Sequence, residues 1–162
     1  MSETGNPLLD AFQRLQPDVD VVVLPPEPPL ELLETSDPAE AQRAAQASRT
    51  TAHSLLEEVR GAGEPVVIER WDRLAPQVHR HRTRVRVTFD DDAAALSSIL
   101  DVLESLNGAG WETRPVDAPT PWLVARSPLA AVPLLTADVA VQGPRLVVTV
   151  ESAALRLEED PA

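Results

Sequence analysis

The sequence contains no cysteine, no tyrosine and no lysine, and only five of its 162 residues are aromatic. Without cysteine the chain can form neither disulfides nor thiolate metal sites, and it has no cysteine nucleophile. It also lacks a catalytic lysine, a nucleophile elbow, a Walker sequence and an HExxH zinc motif. These absences leave hydrolase and kinase classes without positive evidence, so we expect a protein that is not an enzyme and needs no cofactor.

Long apolar runs are also missing, and no stretch approaches the roughly 18 residues of a membrane-spanning helix. Residues 1–10 lack the basic region and apolar run of a secretory signal, which predicts a cytoplasmic protein without membrane insertion. A formal net charge of −12 disfavours nucleic acid or an anionic membrane as partner. All 14 basic residues are arginine, a bias typical of high-GC bacterial coding.

The chain divides by composition into three parts. Residues 1–35 read as an N-terminal arm, with a short helix after Asn6 and Pro7 and a Pro-rich linker from Pro25 to Pro29. This arm either packs on the body or docks another protein. Residues 36–152 form a single domain, and residues 153–162 are predicted to be an acidic tail.

Two long helices are predicted in this domain. The first starts at Asp37 and Pro38, an N-cap followed by proline at the first helical position, and should run to Arg60. The second covers residues 93–107 and follows the Asp90–Asp92 run, which is better explained by helix capping than by cation binding, because the central glycine of a calcium loop is absent. Its apolar stripe, which predicts the buried face, comprises Leu96, Ile99, Leu100, Leu103 and Leu106.

Strands are indicated by β-branched and alternating segments between turn residues. They cover residues 66–71, 78–89, 111–116, 122–127, 137–142 and 145–151, with Gly143 and Pro144 in the last hairpin turn. The order of elements predicts an α+β fold in which two main helices pack on one face of an antiparallel sheet. In element order alone, without a shared motif, the domain resembles small bacterial secretion-chaperone domains, which implies an acidic partner-binding module.

The least ordinary feature is a stripe of four arginines, Arg80, Arg82, Arg84 and Arg86. Since side chains alternate along a strand, all four lie on one face. They could bind an anionic ligand or an acidic partner through charged hydrogen bonds. Alternatively they pair with carboxylates on neighbouring strands of a solvated face.

His79 and His81 fall on the opposite face of the same strand. Two histidines at this spacing can reach one metal ion, but such a site needs a third ligand. The simpler interpretation is a pair of partly buried histidines beside the core, and we expect no tightly bound transition metal.

The tryptophans Trp71, Trp111 and Trp122 are each placed at a strand boundary, where packing explains them better than a ligand pocket does.

Taken together, these features favour a non-enzymatic acidic interaction protein, such as an accessory subunit, chaperone or immunity-type module, that engages a protein partner. The alternative is a small-anion or metal-binding protein that uses His79, His81 and the arginine stripe. The sequence leaves the oligomeric state open.

Overall fold

The computed structural model describes residues 30, 33–57, 59, 63–128, 131, 133–158 and 160–161. Within this part of the chain there are two helices and seven strands, and their bounds in chain order are α1 Pro38–Glu57, β1 Val66–Ala75, β2 Val78–Thr88, α2 Asp92–Gly108, β3 Glu112–Pro115, β4 Trp122–Arg126, β5 Leu135–Gln142, β6 Arg145–Ser152 and β7 Leu155–Arg156. Of the N-terminal arm predicted for residues 1–35, only residues 30 and 33–35 are described. The predicted short helix and the Pro-rich linker both lie outside the described residues.

The seven strands form one sheet in the order β1-β2-β6-β5-β4-β3, and β7 pairs with β2 off this path. Every strand pair is antiparallel. Two hairpins connect neighbouring strands: β1 turns into β2 at Pro76 and Gln77, and β5 turns into β6 at Gly143 and Pro144, where the sequence predicts the last hairpin turn. The α+β class and the two helices packed on an antiparallel sheet are therefore confirmed.

Both helices begin where the sequence places a cap. The Asp37 carboxylate accepts a hydrogen bond from the Ala39 amide at 2.8 Å, and the Asp91 carboxylate accepts one from the Ala94 amide at 2.7 Å. These bonds satisfy amides that have no partner within the helix. The capping role predicted for the Asp90–Asp92 run is thus realised by Asp91.

The main core lies between the helices and one face of the sheet. Alternate residues of β2, β5 and β6 point toward the helices and are buried, as the spacing of two in a half-covered strand requires. α1 meets this face through small side chains, with Ala44, Ser48 and Ala52 fully buried. The small residues allow the helix to lie close to β2 and β6.

The buried face of α2 differs from the predicted one. Its buried residues are Ala95, Ser98, Ile99, Val102 and Leu106. Leu100, expected at the centre of the buried stripe, is 62% exposed, and Leu96 is 47% exposed. The apolar stripe of α2 is wider than the surface that contacts the sheet. Small residues such as Ala95 and Ser98 are buried there, and the spacing of large apolar residues does not identify them.

The end of the chain also differs from the predicted acidic tail of residues 153–162. Leu155 and Leu157 are buried in a second cluster with Ala41 and Ala44 of α1. Residues Leu155–Arg156 form β7, which pairs with Val78 and His79. Two leucines that cover the first turns of α1 extend the fold beyond residue 152, because burying them removes apolar surface from water.

Trp71 lies within β1 and not at its end, since the strand continues to Ala75. It packs partly buried against the second cluster, and its ring meets the His81 ring edge-on at 5.1 Å. No helix among the described residues is long and apolar enough to cross a membrane.

Candidate functional site: the open face of the sheet

One face of the sheet is covered by neither α1 nor α2, and the strand register defines which residues it displays. Cross-strand partners share a face, so Arg82, Glu151, Thr136 and Arg126 form one row across the sheet, and Arg84, Thr149, Asp138 and Val124 form the next. We call this surface the open face. By register its arginines are Arg70, Arg80, Arg82, Arg84, Arg86, Arg114, Arg126 and Arg145, and its carboxylates are Asp72, Glu112, Asp138 and Glu151.

The open face therefore has an excess of four positive charges in a chain whose net charge is −12. Among the described residues, eight of 12 arginines lie on it, but only four of 18 acidic residues do. The described charged residues outside the open face are therefore predominantly acidic. Such a separation of charge directs a charged partner to one side of the molecule.

The twist of the sheet makes part of this face concave, and the resulting groove has a volume of about 750 Å³. It runs from β2 across β6, β5 and β4 to β3, so every strand of the path except β1 contributes to it. Its charged lining comes from four arginines and three carboxylates: Arg82, Arg84, Arg114, Arg126, Glu112, Asp138 and Glu151.

One end of the arginine stripe is neutralised by ion pairs. Arg82 donates to Glu151 through Nε at 2.7 Å and approaches Asp72 through Nη2 at 3.0 Å. Arg80 pairs with the second oxygen of Glu151 at 2.9 Å, and Arg70 pairs with Asp72 at 2.7 Å. This part of the stripe matches the cross-strand pairing that the sequence offered as the alternative to ligand binding.

The other end of the stripe has no such neutralisation. Arg84 donates to the Thr149 hydroxyl at 3.3 Å. Within the described residues, Arg84, Arg86, Arg126 and Arg145 form no ion pair, and all four side chains are exposed. These guanidinium groups keep most of their donors for solvent or a ligand.

Asp138 lies half-buried in the groove, between Val124 of β4 and Thr149 of β6. Burial raises the pKa of its carboxyl because the charged form loses water, and the nearby Glu151 adds to this rise. A hydrogen bond from Trp122 and the charge of Arg84 act in the opposite direction. The position of this carboxyl in the groove, together with its raised pKa, makes Asp138 a candidate binding residue.

His81 belongs to the opposite, helix-covered face. Its Nδ1 shares a hydrogen bond with Ser48 Oγ, which lies 3.3 Å from Thr83 Oγ1 and donates to the Ala45 carbonyl at 3.0 Å. Burial lowers the pKa of His81, and the charge of Glu69 opposes this effect. Since Ser48 is fully buried, a substrate cannot reach its hydroxyl, so this serine and histidine join α1 to the sheet and do not form a nucleophile and base.

His79 has a separate partner. Its Nε2 lies 3.2 Å from a carboxylate oxygen of Asp160, near the end of the chain. His79 and His81 are thus both buried, as the simpler interpretation proposed, but they face different groups. No cluster of three or more metal-ligating side chains occurs among the described residues.

Sequence reasoning found the stripe on β2 but missed the other half of the groove. Arg114, Arg126 and Asp138 come from strands that follow α2, and only the order of strands in the sheet brings them near β2. Alternation along β5 could have placed Asp138 on the solvent face, but not opposite Thr149. The sequence matches no protein-family model and no curated protein.

Proposed function

We propose that the protein is a non-enzymatic binding module that holds an acidic segment of a partner protein in the groove of its open face. The observation that carries this proposal is a set of four exposed arginines that form no ion pair among the described residues of an acidic chain: Arg84, Arg86, Arg126 and Arg145. Arg84 and Arg126 line the groove, and Arg86 and Arg145 lie on the open face beside it. In this role the protein is an accessory subunit, a chaperone or an immunity-type module.

An extended ligand fits this surface better than a small anion. Arg84 lies on β2 and Arg126 on β4, three strand steps apart in the sheet. At about 4.8 Å per step their backbones are separated by about 14 Å. A chain that carries several carboxylates can contact both arginines at once, whereas one phosphate or carboxylate group occupies only part of the groove.

The charges of the groove favour a protein over a nucleic acid. Asp138 and Glu151 lie among its arginines, and a regular row of phosphates would meet their repulsion. A protein segment can instead place its own basic or hydrogen-bonding groups opposite these carboxylates. Trp122 is the only aromatic residue that the register places on the described open face, which offers little for base stacking.

A peptide of ten glutamates, labelled with a fluorophore, tests this proposal by fluorescence anisotropy. Its affinity is measured for the parent and for the double variant Arg84→Gln/Arg126→Gln, because charged hydrogen bonds contribute roughly 1.5–3 kcal/mol each. We expect the double variant to bind at least about tenfold more weakly. Binding of the parent should weaken with added salt.

The matched control is Arg43→Gln, which removes one arginine from an exposed position off the open face and is compared with the single variant Arg84→Gln. The affinity of Arg43→Gln should stay close to that of the parent. Equal losses in Arg43→Gln and Arg84→Gln would show that only net charge matters and would contradict the proposal. Tighter binding of a ten-residue oligothymidylate than of the glutamate peptide would favour nucleic acid as the partner and overturn it too.

A further inference from the structure

The strand β1 forms one edge of the sheet that the described residues build. It pairs with β2 on one side, and no described strand pairs with its other side. About half of its N–H and C=O groups therefore point outward without a strand partner. A strand of ten residues offers a long template for a further strand.

β1 also exposes apolar side chains, in contrast to the opposite edge. Val66, Val67, Ile68 and Leu74 are all exposed, with Ile68 at 53%. The other edge, β3, has four residues, two of them charged, and ends at Pro115. Shortness, charge and proline protect β3 from pairing with another chain. β1 is longer and contains no proline, and its four charged residues are two acidic and two basic, so they do not by themselves repel a strand of complementary charge. Its one irregularity is a register shift between Arg73 and Ala75.

The sequence of β1 is complementary to itself when reversed. Residues 68–74 read Ile-Glu-Arg-Trp-Asp-Arg-Leu, with Trp71 at the centre. Reversal about Trp71 places Arg70 opposite Asp72, Glu69 opposite Arg73, and Ile68 opposite Leu74. Each charge meets its opposite, and each apolar residue meets another apolar residue.

We propose that β1 pairs antiparallel with β1 of a second copy of this chain, with the two-fold axis at Trp71. In a two-fold antiparallel pair the central residue lies opposite its own copy. Centring on Glu69, Arg70, Asp72 or Arg73 would place two like charges directly opposite each other, which destabilises a sheet. Centring on Trp71 places the two Trp71 rings opposite each other instead. In this register the dimer contains two ion pairs between Arg70 and Asp72 and two between Glu69 and Arg73.

The alternation of β1 divides these contacts between the two faces. Trp71, Glu69 and Arg73 share the helix-covered side, whereas Arg70, Asp72 and Ile68 belong to the open face. The dimer would join the two sheets edge to edge, so that the open faces of both copies become one continuous surface. The interface is small, which predicts a weak dimer that forms with rising protein concentration.

Sedimentation velocity of the parent, over a concentration series up to about 500 µM, is the first test. We expect the weight-average mass to rise from 17.5 kDa toward twice that value. A mass that stays at 17.5 kDa across the series overturns the proposal.

A charge exchange then tests the register. Glu69→Arg alone places two arginines opposite each other, and Arg73→Glu alone places two glutamates opposite each other. Each variant should dimerise at least about tenfold more weakly than the parent. A mixture of the two variants restores both ion pairs, so the mixture should regain the dimer at the parent's concentration.

Glu69 also pairs with Arg49 in its own chain, so Glu69→Arg removes this internal ion pair as well. A variant that failed to fold for this reason would not dimerise in the mixture, so recovery of the dimer there shows that both variants are folded. The control, Glu112→Arg, makes the same charge change as Glu69→Arg but on β3, at the other edge of the sheet. Its weight-average mass should rise with concentration as that of the parent does. Dimerisation that persists in both single variants, or a mixture that stays monomeric, contradicts the register and the proposal.

Discussion

Leu106 and Leu100 lie on the same helix, yet Leu106 is fully buried and Leu100 is largely exposed. We expect Leu106→Ala to lower the free energy of unfolding by about 2–5 kcal/mol, because it leaves a cavity in the main core. Leu100→Ala should cost less than about 1 kcal/mol. Urea denaturation of both variants measures this difference, and similar losses would show that α2 turns a different face to the sheet.

His81 gives the protein a defined response to acid. Its pKa is lowered by burial, so the folded state holds its neutral form while the unfolded chain binds a proton near the ordinary histidine value of about 6.5. The stabilising effect is present above that value and is lost as pH falls toward the lower, folded pKa. The charged groups closest to it, Glu69 and Arg49, are paired with each other and act in opposite directions.

We expect the free energy of unfolding of the parent to fall between about pH 7 and pH 5, and to fall less steeply in His81→Gln. The difference between the two slopes measures the contribution of His81 together with that of Glu69, whose pKa the His81 charge lowers. Parallel curves for the parent and His81→Gln would contradict the assignment.

At the scale of the element, β7 and the residue after it determine how far the fold extends. Leu155 and Leu157 bury their side chains against Ala41 and Ala44. Removal of residues 153–162 should therefore lower the free energy of unfolding by roughly 3–5 kcal/mol, the loss of two buried leucines. Removal of residues 158–162 alone should cost much less. Equal stability of the two truncated chains in urea would restore the view of this segment as a solvated tail.

The sequence predicted elements well where one local period dominates. The alternation of β2 and the caps Asp37 and Asp91 are all present as expected. The rotation of α2 could not be predicted, because an apolar stripe wider than its contact does not say which side faces the sheet. Leu100 was misplaced for this reason.

Contacts that are distant in sequence explain the other differences. Arg82 pairs with Glu151, which lies 69 residues away, and Leu155 meets α1 only because β7 returns alongside β2. Composition made residues 153–162 look like a tail, since acidic residues outnumber the two leucines that pack. Local composition and charge cannot reveal such contacts, because the order of strands in the sheet decides which side chains become neighbours.

At the scale of the whole molecule, the two faces of the sheet differ in what they contain. The helix-covered face holds the main core, while the open face presents eight of the 12 described arginines. The proposed binding role can therefore be tested separately from stability, because exposed residues of the open face do not contribute to the core. Within the arginine stripe, Arg80 and Arg82 form ion pairs, whereas Arg84 and Arg86 form none among the described residues.

This division predicts opposite results for two neighbouring arginines. Arg82 contacts both Asp72 and Glu151, so Arg82→Gln leaves two partly buried carboxylates with fewer donors and should cost about 1–2 kcal/mol of unfolding free energy. Arg84 has no ion pair among the described residues, and Arg84→Gln should change stability by less than about 0.5 kcal/mol. Relief of repulsion from Arg82 and Arg86 can even make that change favourable.

Urea denaturation at low and high salt distinguishes the two variants. Only the loss of unfolding free energy in Arg82→Gln should shrink at high salt, because salt screens the ion pairs of Arg82. A larger loss for Arg84→Gln than for Arg82→Gln would show that the unpaired half of the stripe supports the fold and is not held ready for a partner.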